Sequence, residues 1–297
     1  MKTTITIVLL TASLIMGLAV ASLAKPGEDD LEIHRGISYR EAAGSAEKLT
    51  QLDIYAPKDA KGLPVVMMVH GGGWAIGDKS NPGIGTVKPA FFCREGYVYV
   101  TVNYRLSPAV EHPAHIEDVA AAFAWLVDNI DHYGGDPQRI NIMGHSAGAH
   151  LVALLGTDEA RLAPYGLAPA DIESVTCLDG AGYDIPTRLS GIVGRQLREM
   201  MTTAFGEDGS KWADASPTLH VRTDSEYPPF LILHTDRPGG ASQSIGLGDA
   251  LRKAGGYAFN REAGDKSHRT VNADVGRDGD WLTVLVLDFL DDQQVGD

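Results

Sequence analysis

The chain has 297 residues, 44% of them apolar and 22% charged, an ordinary globular composition able to bury a large core. Its 39 acidic side chains against 25 basic ones give a formal net charge of −14, with the acids dispersed. That balance disfavours nucleic acid and anionic membrane surfaces as partners, and no repeat, low-complexity tract or linker divides the chain.

The first element is a leader. Met1-Lys2 gives a short basic start, Ile5 to Leu23 is almost wholly apolar, and Ser22-Leu23-Ala24 sets small residues before a cut ahead of Lys25. This reads as a signal peptide over residues 1–24, leaving a mature domain of residues 25–297. The removed segment contains one charged residue, Lys2, so the mature net charge becomes −15. A periplasmic or secreted location follows, with no stable membrane association after cleavage. The apolar run is also just long enough to cross a bilayer, so an uncleaved anchor is the alternative. No cysteine lies near the cut to carry a lipid.

From Glu32 onward, strands and helices alternate, the pattern of a mostly parallel sheet of about eight strands covered by helices on both faces. Glu32 to Arg40 and Thr50 to Tyr55 form an opening antiparallel pair. Strands follow at Val65–Val69, Val98–Asn103, Ile140–Met143, Val175–Leu178, Phe230–His234 and Ala258–Arg261. Helices fall at Val87–Glu95, Ile116–Tyr133, Ala147–Leu155, Ser242–Ala254 and Asp280–Leu290. The segment Gly180 to Tyr227 breaks the rhythm and is expected to form a cap-like insertion that roofs the pocket and favours short acyl groups. Cys93 falls on a helix and Cys177 in a buried strand, so both are expected as small buried apolar residues rather than a disulfide.

Two motifs carry chemistry. His70-Gly71-Gly72-Gly73-Trp74 follows a strand, and consecutive glycines there supply backbone N–H groups with no side chain in the way, as a tetrahedral oxyanion requires. Gly144-His145-Ser146-Ala147-Gly148 is a G-x-S-x-G turn between strand and helix, which lifts a serine hydroxyl over a helix N-terminus. Ser146 is the candidate nucleophile. The N–H of Ala147, with that of Gly72 or Gly73, is the candidate oxyanion hole. Trp74 is a candidate substrate-binding side chain, the alternative being that it packs beneath the glycine loop.

Together with Asn103-Tyr104-Arg105-Leu106-Ser107-Pro108 and Tyr133-Gly134-Gly135-Asp136-Pro137, these motifs resemble those of the bacterial carboxylesterases of the α/β-hydrolase superfamily. The nearest group by resemblance contains feruloyl and acetyl esterases, with arylformamidases close by, and the likeness runs from about Leu52 to Leu290. It implies the α/β-hydrolase fold and a triad in the order Ser, Asp or Glu, His. His268, after the last strand, matches the family's K-x-H loop and is the expected base. Asp236, after the strand Phe230 to His234, is the expected acid. The chain has His234-Thr235-Asp236 where H-G-x-x-D is commoner, so Asp179 and Asp265 stay open as rivals. Asp118, Tyr104 and Arg105 are expected to be structural.

The resemblance implies ester hydrolysis through an acyl-enzyme, with no metal or cofactor and with a small-molecule or polysaccharide ester as substrate. Formamide hydrolysis by the same residues and a non-catalytic binding protein on the same fold are the alternatives.

Overall fold

In a computed structural model of the chain, residues 31–293 apart from Ala43 are described. The signal-peptide reading of residues 1–24 lies outside the described residues. No described helix is long and apolar enough to cross a membrane.

Eight strands form one sheet: β1 (Leu31–Ser38), β2 (Gln51–Pro57), β3 (Leu63–Val69), β4 (Val98–Val102), β5 (Gly135–His145), β6 (Ser174–Leu178), β7 (Phe230–His234) and β8 (Ala258–Glu262). Their spatial order is β1-β2-β4-β3-β5-β6-β7-β8. β1 pairs antiparallel with β2, as expected of the opening pair, and β2 also pairs antiparallel with β4. From β4 to β8 all pairings are parallel. β5 is longer than the apolar run that marks it. It begins at Gly135, which pairs with Leu63 before a register irregularity brings Ile140 opposite Val65.

Alternation of side chains along each strand sorts the core into two layers. Val65, Met67 and Val69 face one cluster with the helices Ala114–Asn129, Ala147–Leu155 and Gly240–Lys253. Val66 and Met68 face the other, with the helices Val87–Arg94 and Trp281–Asp292. Strands buried on both faces favour apolar residues along their whole length, which is why β3 reads as an unbroken apolar run and β4 and β6 are interrupted only by Thr101 and by Ser174 and Thr176, all buried. Cys93 belongs to one layer and Cys177 to the other, so the sheet separates them; both are buried, free thiols whose pKa burial pushes up to about 12.

The Gly180 to Tyr227 insertion forms four short helices, Ile185–Ser190, Arg195–Phe205, Gly209–Asp214 and Pro217–His220. They pack into the main core through Leu189, Met201, Ala204, Phe205 and Ala215. Parallel strands deliver their carboxyl ends to one edge, where the chain passes from β3 into His70, from β5 into Ser146, from β6 into Asp179 and from β8 towards His268.

Candidate active site

Ser146 stands between β5 and the helix Ala147–Leu155 with φ 55° and ψ −114°, a strained conformation for a residue with a Cβ. The flanking glycines make this turn sterically feasible. A Cβ on Gly148 would lie 2.2 Å from the Val69 carbonyl oxygen, and one on Gly144 would lie 2.3 Å from the Gly148 carbonyl. The helix therefore starts pressed against the end of β3, and the Ser146 hydroxyl is left at the edge.

His268 completes a chain of contacts on that hydroxyl. Its Nε2 lies 3.0 Å from Ser146 Oγ and its Nδ1 lies 2.6 Å from Asp179 Oδ2. Asp179 follows β6 at φ 48° and is fully buried. Its carboxylate accepts from the Thr235 backbone N–H at 3.0 Å and the Thr235 hydroxyl at 2.8 Å, and pairs with Arg237 Nε at 2.9 Å. Burial by itself would raise the Asp179 pKa. The His268 hydrogen bond, the Arg237 guanidinium and the Thr235 donors outweigh it and hold the carboxyl well below the usual range, so it is ionised.

This corrects the expected acid. Asp236 is exposed and does not meet His268; the residues on either side of it, Thr235 and Arg237, serve Asp179 instead. The reason is local: the Arg237 N–H donates to the Thr235 carbonyl at 2.9 Å, closing a three-residue turn with Asp236 at its apex. Asp265, the other rival, accepts from the Trp281 indole N–H at 2.9 Å.

The glycine loop lies beside the serine. A Cβ on Gly71 would sit 3.0 Å from Ser146 Cβ. Gly72, at φ 116°, has no room for any side chain, because a Cβ there would fall 1.9 Å from the Ile76 carbonyl oxygen. That carbonyl's own residue and Ala75 donate back to the Gly72 carbonyl, at 3.1 and 3.2 Å, which fixes the loop. Among the described residues, the N–H groups of Gly72, Gly73 and Ala147 donate no backbone hydrogen bond. His70 braces the loop by donating from Nδ1 to the Gly71 carbonyl at 2.7 Å and stacking on Tyr104 at 4.4 Å. Burial pushes the His70 pKa down to about 4, so the ring is neutral.

Trp74 requires a second correction. It is 2% exposed, its ring packs edge-on against Phe205 and His150, and its indole N–H points to His150 Nδ1 at 3.3 Å. It supports the loop from beneath and is not among the residues that line the cavity beside His268. The insertion likewise packs on the loop, with Met200 against Gly73, and none of its residues lines the cavity beside His268. That cavity, about 660 Å³, is lined by residues between 70 and 87, by residues between His268 and Arg277, and by His145.

His145, the variable residue of the serine motif, has a task that its sequence position does not reveal. Its Nε2–H donates to the His268 backbone carbonyl at 2.7 Å, tying the histidine loop to the serine turn. Burial pushes its pKa down to about 4, which keeps the ring neutral. Asp118 is structural, as expected: it is buried and held by Arg105 at 2.8 Å and Arg40 at 2.6 Å.

The architecture is that of the α/β-hydrolases. It superposes on a truncated carbohydrate esterase from gut microbiota with a TM-score of 0.72 at 22% identity, over 91% of this chain and 99% of that one. Esterase B from Lactobacillus rhamnosis (HN001) superposes with a TM-score of 0.73 at 19% identity, over 91% and 88% of the two chains.

The chain belongs to the BD-FAE family, whose model matches residues 52–247. Esterase LipQ of Mycobacterium tuberculosis (strain ATCC 25618 / H37Rv) is 31% identical over 264 residues, covering 83% of this chain and 60% of that protein. The probable carboxylic ester hydrolase LipM of the same organism is 33% identical over 225 residues, covering 71% and 50%. The chain thus spans about half to three fifths of the length of these curated relatives.

Proposed function

We propose that this protein is a serine-dependent carboxylic ester hydrolase working through an acyl-enzyme. The observation that carries the reading is the continuous line from Ser146 Oγ through His268 to Asp179, at 3.0 and 2.6 Å. The names of the relatives, esterase and carboxylic ester hydrolase, agree with it.

In this scheme Ser146 attacks the ester carbonyl as His268 Nε2 takes its proton, and the same nitrogen returns the proton to the leaving alcohol. Asp179 holds the imidazole with Nδ1 protonated and stabilises the imidazolium that forms. The developing oxyanion is received by the N–H of Ala147, together with that of Gly72 or Gly73, whose positions are fixed before substrate arrives. Water then repeats the cycle on the acyl-enzyme. No step calls on a metal or cofactor.

An exported location belongs to the same proposal, supported by the Met1 to Ala24 pattern, and an N-terminus of Lys25 on the mature protein tests it. The test of the reaction is a fluorophosphonate probe combined with p-nitrophenyl butyrate turnover. Covalent labelling is expected at Ser146 and is expected to vanish, with turnover, in Ser146→Ala. Labelling of any other residue overturns the assignment.

A further inference from the structure

The cavity beside His268 has a charge that the rest of the molecule does not. The chain carries 39 acids against 25 basic residues, yet no carboxylate lines this cavity. Its charged lining residues are two arginines, Arg269 and Arg277, one directly after the proposed base and the other at the far end of the same wall. Arg277 lies 3.4 Å from Asp274, a carboxylate already shared with Lys266 at 3.2 Å. Among the described residues the Arg269 guanidinium has neither an ion-pair nor a hydrogen-bond partner. The remaining wall is largely apolar, with Ile76, Pro82, Ile84 and Val87 facing the arginine side.

The cavity is also preformed. Lys88, buried behind it, donates to the Gly83 carbonyl at 2.7 Å and to the Asn272 carbonyl at 2.5 Å, one in each wall. The short helix Thr270–Ala273, between the two arginines, is thereby fixed against the apolar wall. A guanidinium fork matches a carboxylate better than any neutral group, and because both arginines are exposed the attraction is sensitive to salt.

We infer that the preferred substrates are esters that carry a free carboxylate on an apolar chain or ring, with Arg269 receiving that carboxylate and Arg277 adding positive charge farther along the same wall while the ester lies at Ser146. The inference rests on the esterase reading above. The carboxylate can belong to the acyl half or to the alcohol half, and paired substrates separate the two. Monomethyl against dimethyl adipate tests the acyl half; 4-acetoxybenzoate against its methyl ester tests the alcohol half.

In at least one pair the anionic ester is expected to have a kcat/KM about tenfold or more above its neutral partner, a preference that shrinks in about 0.5 M NaCl. In Arg269→Gln/Arg277→Gln that ratio is expected to collapse towards one, with Arg269→Lys keeping part of it. A neutral partner faster than the anionic ester in both pairs overturns the inference, as does a ratio unchanged in the double variant. Ser146 labelling by the fluorophosphonate with neutral esters turned over, but no anionic preference, removes this inference alone; absent labelling removes the esterase reading.

Discussion

Asp179 and Asp236 differ in surroundings more than in sequence setting, since each directly follows, or nearly follows, a buried strand. Asp179 is fully buried, accepts two hydrogen bonds from Thr235 and pairs with Arg237 and His268, whereas Asp236 faces solvent at the apex of a turn. An amide in place of the buried carboxylate offers His268 the wrong partner, an effect worth up to about 10⁴ in kcat where it has been isolated. Asp179→Asn is therefore expected to lose at least about 10²-fold in kcat on p-nitrophenyl butyrate, and Asp236→Asn to stay within about threefold of wild type. A severe Asp236→Asn beside a mild Asp179→Asn would falsify the geometric assignment. The residue scale is also where sequence reading fell short. Thr235 and Arg237 carry no motif that marks them, and their role exists only because the end of β7 lies beside the end of β6.

At the scale of elements, the site is held by ties between segments far apart in the chain. His145 joins the serine turn to the histidine loop, and Lys88 joins the helix Val87–Arg94 to residues 83 and 272 on opposite walls of the cavity. Burial pushes the Lys88 pKa down to about 7 against the nearby Asp274 charge, which raises it, and the two carbonyls are the hydrogen-bond partners of its amine. Lys88→Met leaves both carbonyls without their donor, and each such loss inside a protein costs about 1–3 kcal/mol. The variant is expected to lower unfolding stability by an amount in that range, read as a shifted urea midpoint with unchanged slope. A midpoint equal to wild type would show that water or backbone shifts satisfy the carbonyls instead. The elements themselves were legible in sequence, because unbroken apolar runs of strand length alternating with helical segments have few other readings. The insertion was legible as an interruption of that rhythm. Its packing was not, because which neighbour a short amphipathic helix covers depends on surfaces built elsewhere in the chain.

Taken as a whole, the molecule stores several neutral histidines in its interior. Burial pushes His70, His115 and His145 down to about 4 and His150 down to about 3, from an ordinary value of 6.5. Each must remain neutral in the folded state, while the unfolded chain protonates near pH 6.5. Between those values the unfolded state binds more protons, so stability is full above about pH 6.5 and is lost progressively as pH falls towards 4. A displacement of this size corresponds to roughly 3 kcal/mol per histidine as an upper figure. Calorimetry is expected to show Tm falling by about 10 °C or more between pH 7.5 and pH 5, well before most carboxylates titrate. A Tm that stays flat down to pH 4.5 contradicts the buried-neutral assignment. The depressed Asp179 pKa acts in the same direction at lower pH, since its contribution is full above the unfolded carboxylate value of 3.8 and is lost as pH falls from there through the depressed folded value.

The sequence by itself determined the layer architecture and pointed to the candidate nucleophile, the glycine loop and the candidate base, because each rests on local chemistry. A G-x-S-x-G turn needs glycines wherever it occurs, and a buried parallel strand needs apolar residues wherever it lies. Only the tertiary structure shows Asp179 beside His268, Trp74 packed beneath the glycine loop and the arginine-rimmed cavity. Those depend on which strand ends share an edge and which loops face each other across it. Asp179 and His268 are 89 residues apart in sequence and 2.6 Å apart in space. A carboxylate becomes the partner of a histidine by lying buried beside it, and burial is a property of the packed sheet that no short stretch of sequence contains.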